Sequence, residues 1–267
     1  LAKPPLLEAS PYTILFTFEQ MKTNSEWFAD WFNTPYYHLL YSHRNHSDAA
    51  EFLEGLLSTA KLPPNARILD AGCGSGRHAL YLHQKGFLVT GIDLSEKNIQ
   101  AASAYAEEGL EFFIHDIRND FRINYFDAVF NLFTSFGYFE NEHENIRVLS
   151  CFYNALRPGG LLAIDYLNPG FVSKNADSNG SKTIEGIDFS WEKKILGRFV
   201  EKHILVKDKN QTYSYSEKVE LINHNQFTDY LTTIGFEQIR FFGDSQFKEY
   251  HPEHSPRQII FATKSNR

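Results

Sequence analysis

Residues 66–76 read Ala-Arg-Ile-Leu-Asp-Ala-Gly-Cys-Gly-Ser-Gly, and an acidic residue, Asp93, stands 21 positions after Gly72. No other feature of the chain narrows its possible folds as far. Residues 67–70 suit a short buried strand. Gly72, Gly74 and Gly76 then place residues without a Cβ at alternate positions, so the turn offers bare backbone to a ligand. Residues 77–82 open a helix, residues 87–92 read as the next strand, and Asp93 ends it. A carboxylate at that point can accept both hydroxyls of a ribose, as acidic residues do in Rossmann-type sites. The spacing is G-x-G-x-G, not the G-x-G-x-x-G of dinucleotide-binding turns.

The same alternation continues along the chain. Ala49, Phe52, Leu53, Leu56, Leu57 and Ala60 fall on one face of a helix over 47–60, with Ser47 as its N-cap and Pro63-Pro64 as its stop. A helix is expected at about 95–108 and a strand at 111–115. The apolar run 125–132 suits a central strand covered on both faces. A helix over 142–156 turns Ile146, Leu149, Phe152, Tyr153 and Leu156 inward, Arg157-Pro158-Gly159-Gly160 makes a turn, and 161–167 is a fifth strand. This predicts an α/β, doubly wound parallel sheet of Rossmann type, with ligands at the carboxyl ends of the strands. Residues 183–222 break the pattern. Three extended segments, 183–192, 198–207 and 212–221, form an antiparallel β insertion before a last helix at 224–234, and 236–242 with 258–263 form a closing hairpin.

Composition limits the partners. The chain has 267 residues, 42% of them hydrophobic, a net charge of −7 and only two cysteines, Cys73 and Cys151. The acidic balance disfavours nucleic acid, free thiols fit a reducing cytoplasm, and no apolar stretch is long enough to span a bilayer. The only methionine is Met21. Residues 1–20 read as a disordered or non-native extension, 21–64 as an N-terminal helical cap, 65–182 as the ligand-binding core, 183–222 as the insertion and 223–267 as the end of the core sheet. A targeting peptide at 1–20 is opposed by Glu8 and Glu19. The exposed edges of the insertion are where a homodimer would pair.

The glycine turn from Ile68 to Gly76 resembles motif I of the class I S-adenosylmethionine (SAM) dependent methyltransferases. The likeness extends from about 36 to 263. Asp93-Leu94 matches the ribose ligand and the apolar residue on adenine. His115-Asp116-Ile117 matches the segment in which the Asp takes the adenine amino group. Asn131-Leu132 matches the end of strand four, and Leu156-Arg157-Pro158-Gly159-Gly160 the turn before strand five. A narrower set is similar to the sugar N,N-dimethyltransferases and, more loosely, glycine N-methyltransferase: Tyr37, Tyr41 and Arg44 ahead of motif I, residues 134–138 after strand four, and the antiparallel insertion. The resemblance implies that Arg44 meets the SAM carboxylate and that Tyr37 and Tyr41 close over the cofactor. His38 stands where those sugar enzymes carry an acid.

The implied cofactor is SAM, held by Tyr37, Tyr41, Arg44, Asp70, Ala71, Gly72, Gly74, Asp93, Leu94, Asp116, Ile117 and Leu132. The implied activity is methyl transfer to a small-molecule acceptor at nitrogen, in the cytoplasm. Alternatives are a protein or RNA acceptor, or SAM binding without turnover. An oxidoreductase is opposed by the glycine spacing and by the lack of a Tyr-x-x-x-Lys after strand four. Positioning dominates such transfers, and a base matters chiefly for an ammonium acceptor. The catalytic candidates are Tyr37, His38 and Tyr138. Phe133 is a further aromatic wall, and Asp165, Tyr166 and Asn168 end strand five. The pairs His43/His46 and His251/His254 lack the spacing partners of a metal motif, so no metal is expected. The lysine-rich run 202–209 reads as one solvated strand face.

Overall fold

The computed structural model describes residues 27–41, 46–175 and 178–266. In chain order its elements are α1 (Trp27–Trp31), α2 (Pro35–Leu40), α3 (His46–Ala60), β1 (Arg67–Ala71), α4 (Arg77–Gln84), β2 (Leu88–Asp93), α5 (Glu96–Ala102), β3 (Leu110–Ile114), β4 (Phe126–Asn131), α6 (Glu142–Ala155), β5 (Leu156–Leu167), α7 (Pro169–Lys174), β6 (Ser178–Ile184), β7 (Ile187–Leu196), β8 (Phe199–Asp208), β9 (Gln211–Glu220), α8 (His224–Ile234), β10 (Phe236–Phe242) and β11 (Arg257–Lys264).

The large sheet has seven strands in the order β10-β11-β5-β4-β1-β2-β3. β1 to β5 run parallel, whereas β11 is antiparallel to both β5 and β10. Each face is covered, as parallel strands require. On one side Phe52, Leu53 and Leu56 of α3 and Ala79 and Leu82 of α4 pack on Ile68, Val89 and Phe130. On the other, Val148, Leu149 and Phe152 of α6 and Phe227 and Leu231 of α8 pack on Leu69, Val129 and Ile164. β4 is buried at every position, as its uninterrupted apolar run predicts. The strand order reverses between β1 and β4, so the crevice at their carboxyl ends is the expected ligand position.

The second sheet, β6-β7-β8-β9, is the antiparallel insertion. It has four strands, not three. β6 was not expected because Ser-Asn-Gly-Ser-Lys at its start lacks any apolar alternation; it is an edge strand, held by its ladder to β7. The remaining differences are local. α5 gives way to a 3₁₀ turn at Ser103–Tyr105, short of residue 108. α3 begins at His46, which puts Ser47 inside the helix and not at its cap. Residues 157–160 bulge out of β5: Leu156 pairs with Phe126, but pairing resumes only at Leu161 with Ala128. Arg44 and residues 1–20 lie outside the described residues.

The N-terminal helices tie the two sheets together. Trp31 donates its indole N–H to Glu217 of β9 at 2.8 Å and packs on Tyr215 with ring centroids 4.5 Å apart. Tyr36 donates to Asp208 at 3.0 Å. In the other direction Asn33 receives Ser95 Oγ at 2.6 Å and, through its carbonyl, Lys97 Nζ at 3.0 Å.

Candidate functional site

β1 delivers the chain into the glycine turn at the switch point. Gly72 and Gly74 have φ of +81° and +55°. A Cβ on Gly72 would lie 2.7 Å from the Ser135 side chain, whereas one on Gly74 would meet nothing within 4 Å. Gly72 is therefore required for close packing against the end of β4, and Gly74 leaves open space above bare backbone. That space belongs to a cavity of about 410 Å³ whose walls include Gly72, Cys73, Gly74, Asp93, Leu132 and Ser135. Tyr37, His38 and Tyr41 from the N-terminal segment and Tyr138 after β4 complete it. The sequence places these residues far apart, and the fold brings them together.

Asp93 does two jobs at once. Oδ2 accepts the Gly74 N–H at 2.9 Å, and Oδ1 accepts the Ser95 N–H at 2.8 Å and Asn98 Nδ2 at 3.3 Å. It thus clamps the glycine loop to the start of α5. A carboxylate has about four lone-pair directions, so one remains for a ligand, and a second is released if the long Asn98 contact gives way. Burial raises the Asp93 carboxyl above its usual range despite these donors. Asp70 is buried, and Oδ2 has no hydrogen-bond partner among the described residues. Burial and then the neighbouring Asp93 push its carboxyl up to about 7. Of the two carboxyls, Asp93 lines the cavity and suits a ligand that brings hydroxyl donors, while Asp70 lies behind the loop.

The end of β4 forms the opposite wall. Phe133 and Thr134 both adopt left-handed backbone, with φ of +56° and +63°, which is costly for bulky residues. Asp165 holds this turn: its carboxylate accepts the Phe133 N–H at 3.0 Å and its carbonyl the Thr134 N–H at 3.0 Å. Arg257 completes the clamp, donating to Asp165 at 2.7 Å and to Thr134 Oγ1 at 2.8 Å. Tyr138 donates its hydroxyl to the Thr134 carbonyl. Asn131 Nδ2 bridges the Ala71 and Ser135 carbonyls at 2.8 and 3.1 Å, which locks the two strand ends together.

His38 lies exposed at the mouth of the cavity. Partial burial and Lys97 lower its ring below the ordinary histidine value, against the pull of Asp93. His78, which sequence reasoning passed over, stacks on Phe133 at 4.8 Å, and burial followed by Arg77 pushes it down to about 3. Phe32, Asn98 and Tyr105 also line the cavity without having been singled out. Of these, only Asn98 lies on an α-helix; Phe32 is in the turn after α1 and Tyr105 in the 3₁₀ turn, and no local pattern marks either as facing this space.

Other expected residues lie beside the cavity, not on it. Asp70 and Ala71 are buried behind the loop. Leu94 is 40% exposed at the end of β2, an apolar surface that a flat ring could cover. Asp116 is engaged by Arg118 through its backbone N–H at 2.9 Å and through Nε and Nη2. Burial works to raise the Asp116 carboxyl, and Arg118 outweighs it, so the net shift is down. Ile117 packs against the core on the same side. At the end of β5, Tyr166 donates to the Glu220 carbonyl and Asn168 caps α7 through the Gly170 N–H at 3.2 Å. Both act in the scaffold, as does Asp165.

A second cavity, of about 620 Å³, opens between the antiparallel sheet and the ends of β5 and β11. Tyr41 lines both cavities, and Phe133 and Thr134 face one each. Tyr41 donates to both oxygens of Glu217 at 2.7 and 2.9 Å and receives Lys202 Nζ at 2.8 Å. Lys202 therefore points into this space, a correction to the solvated face expected for 202–209. The apparent outward face was misassigned because the N-terminal helices and β5, far away in sequence, decide which side of the sheet is covered.

The loop, the strand-end carboxylate and the open backbone at Gly74 fit SAM: the cavity has the volume of a small-molecule site, and Asp93 on its wall keeps acceptor capacity for a ligand's hydroxyls. Residues 68–160 match a methyltransferase domain family. A Geobacillus sp. protein assigned as a methyltransferase is 29% identical over 209 residues, covering 74% of this chain and 84% of its own. The dTDP-3-amino-3,4,6-trideoxy-α-D-glucopyranose N,N-dimethyltransferase of Streptomyces venezuelae is 26% identical over 196 residues, 70% of this chain and 81% of that one. The solved SAM-bound amino pentose methyltransferase of Micromonospora echinaspora superposes with a TM-score of 0.67 at 21% identity, covering 87% of this chain and 98% of that one. The methyltransferase domain matched over residues 68–160, the methyltransferase relatives and the superposed fold all agree with the SAM-binding reading of the glycine loop and Asp93, and support a SAM-dependent methyltransferase with SAM as its cofactor.

Proposed function

We propose that this enzyme methylates a nitrogen of a small-molecule acceptor. The observation that carries the reading is the pair of cavities meeting at Tyr41 and the Phe133–Thr134 turn. The second is a concave hollow of small-molecule size, about 620 Å³, a shape that suits a compact acceptor better than a polymer. The acceptors named for the Streptomyces and Micromonospora relatives, both amino sugars, support nitrogen as the target. A cytoplasmic location goes with this reading; no described helix is long and apolar enough to cross a membrane.

When bound, SAM supplies a methyl group activated on a sulfonium. In our assignment Gly72 and Gly74 present backbone to it, Asp93 takes ribose hydroxyls, and Leu94, Asp116 and Ile117 flank the adenine end. Asp70 and Ala71 would back the loop from behind, Leu132 and Tyr37 would form the walls, and Arg44, outside the described residues, is assigned to the carboxylate. Tyr41, fixed between Lys202 and Glu217, sets the approach of the acceptor. Such positioning is worth roughly 7–11 kcal/mol in favourable cases. An ammonium must lose its proton before it attacks. Tyr37, His38 and Tyr138 are the groups we assign to steer it; burial lowers the His38 ring below the ordinary histidine value, which favours the neutral form that accepts a proton.

Calorimetry with SAM and its demethylated product, against NAD and NADP, tests the first step. Labelled SAM with a panel of small amines, a peptide mixture and bulk RNA tests the second. Label entering amines only is the expected result. Label confined to peptide or RNA refutes the small-molecule reading, and NAD affinity equal to that for SAM refutes the cofactor assignment.

A further inference from the structure

The turn between the two cavities is strained. Phe133 and Thr134 are consecutive residues with left-handed backbone, at φ of +56° and +63°. That conformation is uncommon for any side chain and a true outlier for a β-branched one. It persists only where the surroundings over-determine it, and such strain clusters at ligand sites.

The surroundings do over-determine Thr134. Its N–H goes to the Asp165 carbonyl at 3.0 Å, its carbonyl accepts the Tyr138 hydroxyl, and its Oγ1 accepts Arg257 Nη2 at 2.8 Å. The last bond is a product of strand register. β11 runs antiparallel to β5 with Arg257 opposite Leu167 and Ile259 opposite Asp165. Arg257 and Asp165 are therefore diagonal neighbours on one face, within reach of a long side chain. The guanidinium bridges two acceptors: Nε donates to Asp165 Oδ1 at 2.7 Å while Nη2 holds Thr134. Asp165 uses its other oxygen on the Phe133 N–H at 3.0 Å. A planar fork suits such a bridge, whereas a lysine ammonium is a point charge.

The two residues of the turn face different spaces. Phe133 lines the first cavity, its ring stacked on His78 with centroids 4.8 Å apart and edge-on to Phe52 at 5.5 Å. Thr134 and Arg257 line the second. We infer that Arg257 is a positioning residue for SAM: acting through Thr134 and Asp165 from the second cavity, it fixes the Phe133 ring on the wall of the first. The inference rests on the first cavity being the SAM site. An ion pair with Asp165 would by itself only stabilise the fold; the bridge makes SAM affinity depend on a hydroxyl that faces the other cavity.

The test is calorimetry with SAM on the full chain, beside urea unfolding to show that each variant is folded. Thr134→Val removes the oxygen that Arg257 holds and keeps the β-branched shape; Thr134→Gly removes the oxygen and the strain together. Thr134→Val should weaken SAM binding about tenfold, within reach of the strain of one left-handed residue, while Thr134→Gly should stay within about twofold of wild type. Arg257→Lys keeps a cation beside Asp165 but not the fork, and should also lose about tenfold; adding Thr134→Gly to it should restore the affinity. A purely structural Arg257 would lower the unfolding midpoint of Arg257→Lys and leave SAM affinity unchanged. That result overturns the inference, as do unchanged affinity in Thr134→Val, equal losses in Thr134→Val and Thr134→Gly, or a double variant that is not restored. If Arg257→Lys does not fold, the two Thr134 variants decide. Amide hydrogen exchange asks the same question without ligand: the Phe133 N–H should exchange about tenfold faster in Thr134→Val, and unchanged protection there also overturns the inference. SAM silent on wild type refutes the cofactor assignment, and the exchange measurement then decides whether Arg257 holds the turn.

Discussion

Replacing Asp93 with alanine separates two functions that one carboxylate performs. It accepts the Gly74 and Ser95 N–H groups at 2.9 and 2.8 Å and a longer contact from Asn98. Each charge-assisted bond is worth about 1.5–3 kcal/mol, so losing the two short ones costs roughly 3–6 kcal/mol before any compensation. Part of this is returned: the mutant no longer buries an acid whose carboxyl is raised by desolvation, and Asp70 loses a repulsive neighbour. The net expectation is about 1–3 kcal/mol less stability in urea at pH 7. SAM affinity should fall by about 10- to 150-fold for each ribose bond lost, since 1.4 kcal/mol is a factor of ten. The two backbone donors are what couple stability, as well as affinity, to this carboxylate. Equilibrium urea unfolding and calorimetry, run on the same preparation, read both. A wild-type unfolding midpoint would show that the carboxylate does not hold the loop. Wild-type SAM affinity in a folded mutant would remove Asp93 from the site.

Gly72→Ala should destabilise more than Gly74→Ala, because only the former drives a Cβ into Ser135; Gly74→Ala should instead cost SAM affinity, with about 1 kcal/mol of backbone strain, both read by melting with and without SAM. Asp70 predicts a pH dependence. Its carboxyl is raised to about 7 in the fold against about 3.9 unfolded, so the stability it contributes is present below pH ~4 and is lost as pH rises to ~7. Asp70→Asn should therefore gain on wild type in thermal melts between pH 4 and 7, and a gain independent of pH would refute the assignment. Asp165→Ala leaves Arg257 without its carboxylate and the Phe133 N–H without an acceptor. Arg257 keeps some access to water, at 32% side-chain exposure, so the loss should be about 2–3 kcal/mol, below the figure for a fully buried pair. Turnover should fall beyond what stability explains, because the turn it holds borders both cavities.

Much of the fold was legible because its signals are local. The apolar strands, the glycine turn and Asp93 each lie within a few residues of the pattern that identifies them, and parallel strands buried on both faces leave little ambiguity. β6 was illegible for the opposite reason: a polar edge strand is specified by its partner β7 and not by its own residues. The same limit applied to the site. Gly72, Gly74, Asp93, Leu132 and Tyr138 follow strand ends and were found; His78 reaches the cavity from a face of α4 and Phe32 from the turn after α1, and nothing nearby in sequence marks either.

The second cavity depends on relations longer still. Alternation along β8 shows that Lys202 and Ile204 share a face, but not whether that face is covered. The cover comes from Trp31, Tyr36 and Tyr41, bonded to β9 and to the β8–β9 turn through Glu217 and Asp208. That same N-terminal segment reaches the cofactor side through Asn33, Ser95 and Lys97. A single stretch of chain therefore lines the first cavity through Tyr37, His38 and Tyr41 and the second through Tyr41. Whatever displaces it to admit one ligand also loosens its hold on the other. A methyltransferase built this way has a physical reason to close on donor and acceptor together: the Tyr41 hydroxyl keeps its place between Lys202 and Glu217 only while the segment is seated on both sheets.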